Sequence, residues 1–215
     1  MLKSIRRFIV PVTVAAAVVV LTSSVAARAA VTIKLATFAP ANSAWHKALL
    51  DMGASWTKVT DGRVTLRVYP GGTLGTEAST VKMMSPAVGE LQAALLLPPG
   101  LARIDDAVDV FGMPFFLEND DEMRAVFAAM RPSMTQRIES KGFKVLHWGN
   151  AGWVQLFSKK EIRSLAELKA VKLYTTEGDD KSVQWYKSNG FQPIPLSFND
   201  MVGGLKRGMV DAAPS

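Results

Sequence analysis

Apolar residues recur along the chain with two periods, and each switch of period marks a new element. Residues 31–38 alternate, with Val31, Ile33 and Leu35 on one face, and predict a strand. Trp45, Ala48, Leu49, Met52, Trp56 and Val59 follow at helical spacing and predict an amphipathic helix over 43–59. Asp61-Gly62 is a turn. Val64, Leu66 and Val68 alternate in a second strand, broken by Pro70-Gly71-Gly72. A helix is expected over 77–84. Residues 91–97 are nearly all apolar, as in a strand buried on both faces, and Pro98-Pro99-Gly100 ends the run. Residues 108–116 are a further apolar segment. Asn119 reads as an N-cap, with Asp120, Asp121 and Glu122 in a first turn where negative charge suits the helix dipole. Met123, Val126, Phe127 and Met130 continue that helix. Pro132 is expected to divide it from a second helix ending at Gly142.

Residues 143–148 read as a strand, Gly149-Asn150-Ala151-Gly152 as a flexible turn, and 153–158 as another strand. Ser164 and Glu167 make a capping box. A strand over 171–175 and a helix over 180–188 follow, the helix stopped by Asn189-Gly190. Pro193 and Pro195 hold an extended link. Ser197 caps a last helix, with Lys206 and Arg207 in its final turn and Gly208 as the left-handed stop. Residues 209–213 begin one more strand. Strands and helices alternate throughout, so the fold class is α/β. The last strand has no helix after it to cover it, so the sequence reads as part of a longer chain.

Composition refines this picture. With 48% hydrophobic and 20% charged residues in 215, the chain is globular rather than disordered or collagen-like. The absence of cysteine excludes disulfides, thiol catalysis and thiolate metal sites. A net charge of +6 hints at an anionic partner, but the first 30 residues hold four of the 25 basic residues and none of the 19 acidic ones. Without them the charge is +2, and no basic stripe supports nucleic-acid binding. Lys3, Arg6 and Arg7, an apolar run from Phe8 to Leu21, and Ala27-Arg28-Ala29 have the order of a secretory signal peptide over residues 1–29. The expected product is exported to the periplasm and is not membrane-embedded after cleavage.

The chemistry on offer favours binding over catalysis. His46 and His147 could form a metal site only with carboxylates from distant places, and core or surface roles explain them as well. Asp179-Asp180 is as readily a helix entry as a cation site. Gly71-Gly72-Thr73-Leu74-Gly75 lacks both the dinucleotide spacing and the lysine of a phosphate loop. No nucleophile–base pair is visible, and no cofactor or metal is implied. Phe38, Trp45, Trp148, Trp153 and Tyr174 instead cluster at strand ends or the starts of following segments. Ligands of open α/β sheets bind at such ends, and aromatic rings with a few polar groups suit a small-molecule cleft. Core packing is the competing reading for each ring taken singly.

Six stretches in order resemble the periplasmic solute receptors of tripartite ATP-independent periplasmic (TRAP) transporters, of the dicarboxylate-binding-protein type. They are Ile33-Lys34-Leu35-Ala36-Thr37, Trp45-His46-Lys47, Tyr69 through Gly75, Met113-Pro114-Phe115-Phe116, Ser164 through Lys169, and Leu205 through Asp211. The resemblance implies a two-lobed clamshell that captures a small organic solute, with an organic acid as the candidate, and hands it to membrane permease subunits driven by an ion gradient. It implies a first α/β lobe over 30–150, a hinge near 149–152, and part of a second lobe over 151–215. The ligand-binding candidates are Phe38, Trp45 and Glu77 from the first lobe, Asn150 at the hinge, and Trp153, Tyr174 and Glu177 from the second. Glu77 has helix capping or solvent exposure as its alternative. Members that bind carboxylates carry an arginine where this chain has Tyr174, and the asparagine that often follows the family's Val-Asp-Gly pattern corresponds to Ser215. A planar guanidinium grips a carboxylate bidentately, whereas tyrosine offers one hydroxyl, so dicarboxylate specificity does not follow. Lys172 is expected on the same strand face as Tyr174. Competing readings are a chemosensory receptor on the same clamshell, a non-functional truncated product, and an exported α/β enzyme.

Overall fold

The computed structural model describes residues 29–112 and 116–214. Residues 1–28 of the expected leader, the Met113-Pro114-Phe115 part of one family stretch, and Ser215 lie outside the described residues. Two sheets organise the chain, one of three strands and one of four.

The first sheet is parallel throughout. β1 (Val31–Thr37) runs between β2 (Val64–Tyr69) and β3 (Ala93–Leu95), with Leu35 opposite both Val68 and Ala93. Helix α1 (Ala44–Val59) starts where Ser43 Oγ accepts the His46 N–H, and it lies against β2. A Cβ on Gly53 would stand 2.8 Å from Leu66 Cβ, so glycine permits this close helix–strand approach. Helix α2 (Glu77–Met84) begins at a Thr76 cap. Of the apolar run at 91–97, only Ala93–Leu95 pairs as a strand, and those residues are half-buried rather than covered on both faces. Pro98-Pro99-Gly100 does more than end it. Proline at the first helical position needs no N–H partner, and a short helix α3 (Pro98–Leu101) starts there. A 3-10 turn at Asp106–Gly112 occupies part of the expected apolar segment.

Two expectations fail in the next stretch. Pro132 does not divide the helix: α4 runs unbroken from Asp120 to Ser140, with Asn119 Oδ1 accepting the N–H groups of Asp121 and Glu122. An internal proline costs a helix roughly 3 kcal/mol. The buried side chains of Met134 and Ile138, beyond the proline, offset that cost by holding the last turns on the core. Residues 143–148 form no strand either. Their apolar side chains pack on helices instead: Phe143, Val145 and Trp148 rest against Val81, Ile104 and Ile138. Trp148 stands edge-to-face with Phe127 at 5.8 Å and donates its Nε1–H to Thr135 Oγ1 at 3.0 Å.

The second sheet is mixed. β5 (Lys172–Thr176) is parallel to β6 (Gln192–Leu196) and to β7 (Ala212–Pro214), while β4 (Leu156–Ser158) is antiparallel to β7. The Pro193/Pro195 segment is therefore a strand rather than a link. Proline cannot donate to a ladder, which is tolerated because β6 lies at the sheet edge. The strand expected over 153–158 shortens to the three residues of β4. Helices α5 (Leu165–Lys169), α6 (Asp180–Ser188) and α7 (Met201–Arg207) start at side-chain caps or a preceding 3-10 turn, and Gly208 closes α7 at φ 78°. The core here is Tyr174, Met201, Val210 and Ala213. No helix among the described residues is long and apolar enough to cross a membrane.

Candidate functional site

The carboxyl ends of β1, β2 and β3 face those of β5 and β6. Open α/β sheets place their ligands at such ends. Phe38, just past β1, meets Phe198, just past β6, edge-to-face at 6.4 Å. Asn199 Nδ2 donates to the Gly71 carbonyl after β2. Arg103 Nη2 donates to the Gly178 carbonyl after β5 at 2.5 Å. Lys181 Nζ lies 2.8 Å from Asp109 Oδ2. These contacts form a seam between the two sheet units.

Two recesses open along it. One, a shallow depression with no enclosed room for a water molecule, lies at the end of the first sheet between Thr37, Phe38, Gly72, Leu74 and Leu95. Gly72 has φ +68°, and a Cβ there would come within 3.1 Å of the Phe38 ring, so glycine lets the ring lie on the turn. The other, of about 10 Å³, lies between the units and is lined by Glu77, Arg103, Thr176, Glu177 and Asp179. Neither encloses room for a small organic solute in this arrangement, where an ordinary site provides roughly 300–1,000 Å³.

The predicted residues divide among several places. Phe38 lines the first recess, and Glu77 and Glu177 line the second. Glu77 is buried. Its Oε1 accepts the Leu97 N–H at 2.7 Å, at the start of α3. Desolvation pushes its carboxyl up to about 7, against the pull of the Leu97 and Gly100 N–H groups, and Asp179 across the seam adds to the rise. Glu77 is thus first a capping residue for the loop beneath the seam. Glu177 is exposed, its backbone N–H bonded to the Leu196 carbonyl. Tyr174 is buried at 3% exposure among Met201, Val210 and Ala213. No hydrogen bond of ordinary geometry satisfies its hydroxyl among the described residues; burial pushes the phenol up, with the nearby Thr176 side chain pulling against the rise. The Lys172 ammonium, expected on the same face, donates to the Gly208 carbonyl and caps α7.

Trp45, Asn150 and Trp153 gather at the crossing between the units instead. The Trp45 ring covers Gly149 so closely that a Cβ there would stand 2.7 Å from Cη2. Asn150 Oδ1 accepts the Gly152 N–H at 2.8 Å. Trp153, 44% exposed, donates its Nε1–H to Asp120 Oδ1 at 2.6 Å. His46 Nδ1 accepts the Asn42 N–H. Among the described residues, no three potential metal ligands cluster. Sequence reasoning passed over Phe198, Asn199 and Arg103. Phe198 and Asn199 follow the Ser197 cap and read as a helix entry. Arg103 carries no local signal.

The sequence model of the family described as "Bacterial extracellular solute-binding protein, family 7" matches residues 35–215. The chain belongs to that family. A solute-binding protein of Verminephrobacter eiseniae is 26% identical over 156 residues, covering 72% of this chain and 46% of the relative. The 2,3-diketo-L-gulonate-binding periplasmic protein of Escherichia coli is 23% identical over 155 residues, covering 71% and 46%. Among solved structures, a TRAP periplasmic solute-binding protein of Xanthobacter autotrophicus with bound β-D-galacturonate superposes with a TM-score of 0.74 at 26% identity. It covers 85% of this chain and 61% of that one. One from Pseudomonas putida with bound D-glucuronate gives 0.73 at 24% identity, covering 86% and 60%. The α/β fold is therefore that of TRAP solute-binding proteins, with two lobes of which the second is incomplete here. The chain spans about half the length of the curated relatives it matches.

Proposed function

We propose that this chain belongs to an extracytoplasmic receptor that captures a sugar acid or similar small organic acid between its lobes and delivers it to a TRAP-type permease driven by an ion gradient. The observation that carries the reading is the seam itself: strand carboxyl ends of both sheets converge there, with rings from each side and polar groups around them. Relatives with bound galacturonate and glucuronate support the solute class. A sugar acid offers hydroxyl donors to Glu177 and apolar ring faces to Phe38 and Phe198. The Tyr174 hydroxyl, buried midway along β5, is the polar group this strand would offer a solute oxygen once the seam opens. Trp45, Asn150 and Trp153 serve the crossing at 149–152, about which residues 30–150 and 151–215 close. Glu77 holds the loop beneath. Export by a cleaved leader places the receptor in the periplasm.

Isothermal titration with D-glucuronate and D-galacturonate, with neutral D-galactose as the comparison, tests this. Micromolar or tighter binding of the acids and none of the neutral sugar is expected. Equal or absent binding of all three would remove the sugar-acid reading. Tyr174→Phe should weaken D-glucuronate by about three- to tenfold, the worth of one hydrogen bond in a dry site. The same fold could serve a chemosensory receptor, for which binding would persist without any permease-dependent uptake.

A further inference from the structure

The end of the second sheet farthest from the seam carries a surface of its own. Helices α5, α6 and α7 all finish there, with Lys169, Lys187, Lys206 and Arg207 in their last turns, where cations suit the negative ends of helix dipoles. The loop after β4 brings Lys159, Lys160 and Arg163 to the same end, because Ser158 pairs with Ala212 at the start of β7. Lys172 opens β5 beside them. A Cβ on Gly208 would lie 3.6 Å from Lys159 Nζ, and the Lys172 ammonium donates to the Gly208 carbonyl, so these segments meet at the close of α7. Eight basic residues stand here against three acids, and each acid is engaged. Glu161 pairs with Arg163 at 2.8 Å, Glu167 accepts the Arg163 N–H, and Asp211 accepts the Lys172 N–H. Lys159, Lys160, Lys206 and Arg207 are exposed, and none pairs with an acid among the described residues. Outside this end and the leader, the chain has 13 basic and 16 acidic residues. The fold thus gathers a basic end that no single stretch of the sequence displays. Apolar groups stand among its cations. Trp185 is 53% exposed and stacks on Phe191, and Lys169 Nζ lies 5.3 Å from the centre of the Phe191 ring. Leu165 and Met209 are exposed as well, and Arg207 Nη2 lies 3.6 Å from Met209 Sδ.

We propose that this end of the second lobe docks on an anionic lipid bilayer, its lysines and arginines on headgroup phosphates and Trp185, Leu165 and Met209 at the headgroup level. Charges that served the helix ends alone would need no exposed indole or thioether beside them. An indole with a wet edge and an apolar body suits the membrane–water boundary, and basic residues around it suit anionic headgroups. Clusters of about four to eight lysines and arginines are drawn to anionic membranes. The acidic excess over the rest of the chain turns this end toward such a surface. Docking itself does not depend on the receptor reading. Its use does: a receptor held this way stays at the membrane that carries the permease, while the seam, at the opposite end of the sheet, remains clear for solute.

The mature protein, from Ala30 on, is the form to test, because a basic and apolar leader binds lipid by itself. It should co-sediment with vesicles of phosphatidylcholine and phosphatidylglycerol, about 7:3, at about 0.05 M salt, bind phosphatidylcholine alone at least about tenfold more weakly, and be released at about 0.5 M salt. Lys159→Glu, Lys160→Glu, Lys206→Glu and Arg207→Glu together should weaken binding to the anionic vesicles by about tenfold or more. Lys34→Glu, Lys47→Glu, Lys58→Glu and Arg131→Glu make the same charge change at exposed positions of the first lobe and should leave binding within about threefold. Circular dichroism checks that both variants fold. Lipids with brominated chains should quench tryptophan emission in the parent and quench it less in Trp185→Phe. Equal binding to neutral and anionic vesicles would overturn the proposal, as would equal losses from the two sets of reversals or quenching that Trp185→Phe leaves unchanged. None of these measurements uses a solute, so their failure leaves the sugar-acid reading standing, and absence of D-glucuronate binding counts against that reading alone.

Discussion

Asp105 and Asp109 lie one turn apart, and each meets basic groups, yet they do different things. Asp105 is 3% exposed, holds Arg137 at 2.7 Å and Lys141 at 3.0 Å, and accepts the Ala107 N–H. Those partners hold its carboxyl far below the usual range, the Arg137 hydrogen bond foremost. All of them belong to the first lobe, and together they tie the segment before the 3-10 turn to helix α4. Asp109 is half-exposed and meets Lys181 from the other lobe. The same charge pairing, moved from the interior of one lobe to the surface between two, changes from a fold-holding tie into a contact that solvent and motion can undo. Interior and seam therefore answer to different perturbations.

The largest expected effect is on the interior. Met134→Ala removes a side chain that is 1% exposed and leaves a cavity under α4, at a cost of about 2–5 kcal/mol. Chemical denaturation should show a lower midpoint with an unchanged slope, and a midpoint within error of the parent would mean α4 is not held on its core. Next comes Glu77, which lies where interior and seam meet. Its folded value is raised above the 4.5 of the free group to about 7, so the folded state binds the proton more tightly than the unfolded state. Stability should fall as pH rises from about 4.5 to 7 and then level off, by about 3 kcal/mol from this group. Glu77→Gln should flatten that slope, and a slope unchanged in the variant would assign it elsewhere. Smallest is Gly178→Ala, which forces a side chain into a left-handed turn and against Thr76, for about 1–2 kcal/mol in thermal melts.

Much of the fold was legible because its signals are local. The caps at Ser43, Asn119, Ser164 and Ser197 each sit within three residues of the N–H they receive. Gly208 needs only its own backbone to stop α7. Strand β1 shows its alternation in seven residues. The failures were non-local. Residues 143–148 carry a strand-like pattern, but a strand exists only with a paired neighbour, and helices took their apolar side chains instead. Pro193 and Pro195 argue against a strand until an edge position removes the need for their missing donors. Pro132 argues against a helix until buried residues on its far side outweigh it.

The candidate site follows the same division. Phe38 and Glu177 were visible as residues beside strand ends, and both line recesses on the seam. Glu77 was visible too, but its cap on the Leu97 N–H joins residues 20 apart. Tyr174 stood out by replacing the family's arginine, while its burial with an unpaired hydroxyl depends on how α7 and β7 pack. Arg103, Asn199 and Lys181 are ordinary polar residues along the chain and acquire meaning only from what faces them across the seam. Sequence alone determined the alternation of helices and strands, several helix caps and the family, because those rest on residues a few positions apart or on motifs in series. Tertiary structure alone decided which strands pair, which prolines are tolerated and which groups meet between the lobes. Those outcomes depend on groups from separate elements, such as Asn199 with Gly71 and Arg103 with Gly178, and no local pattern contains such meetings.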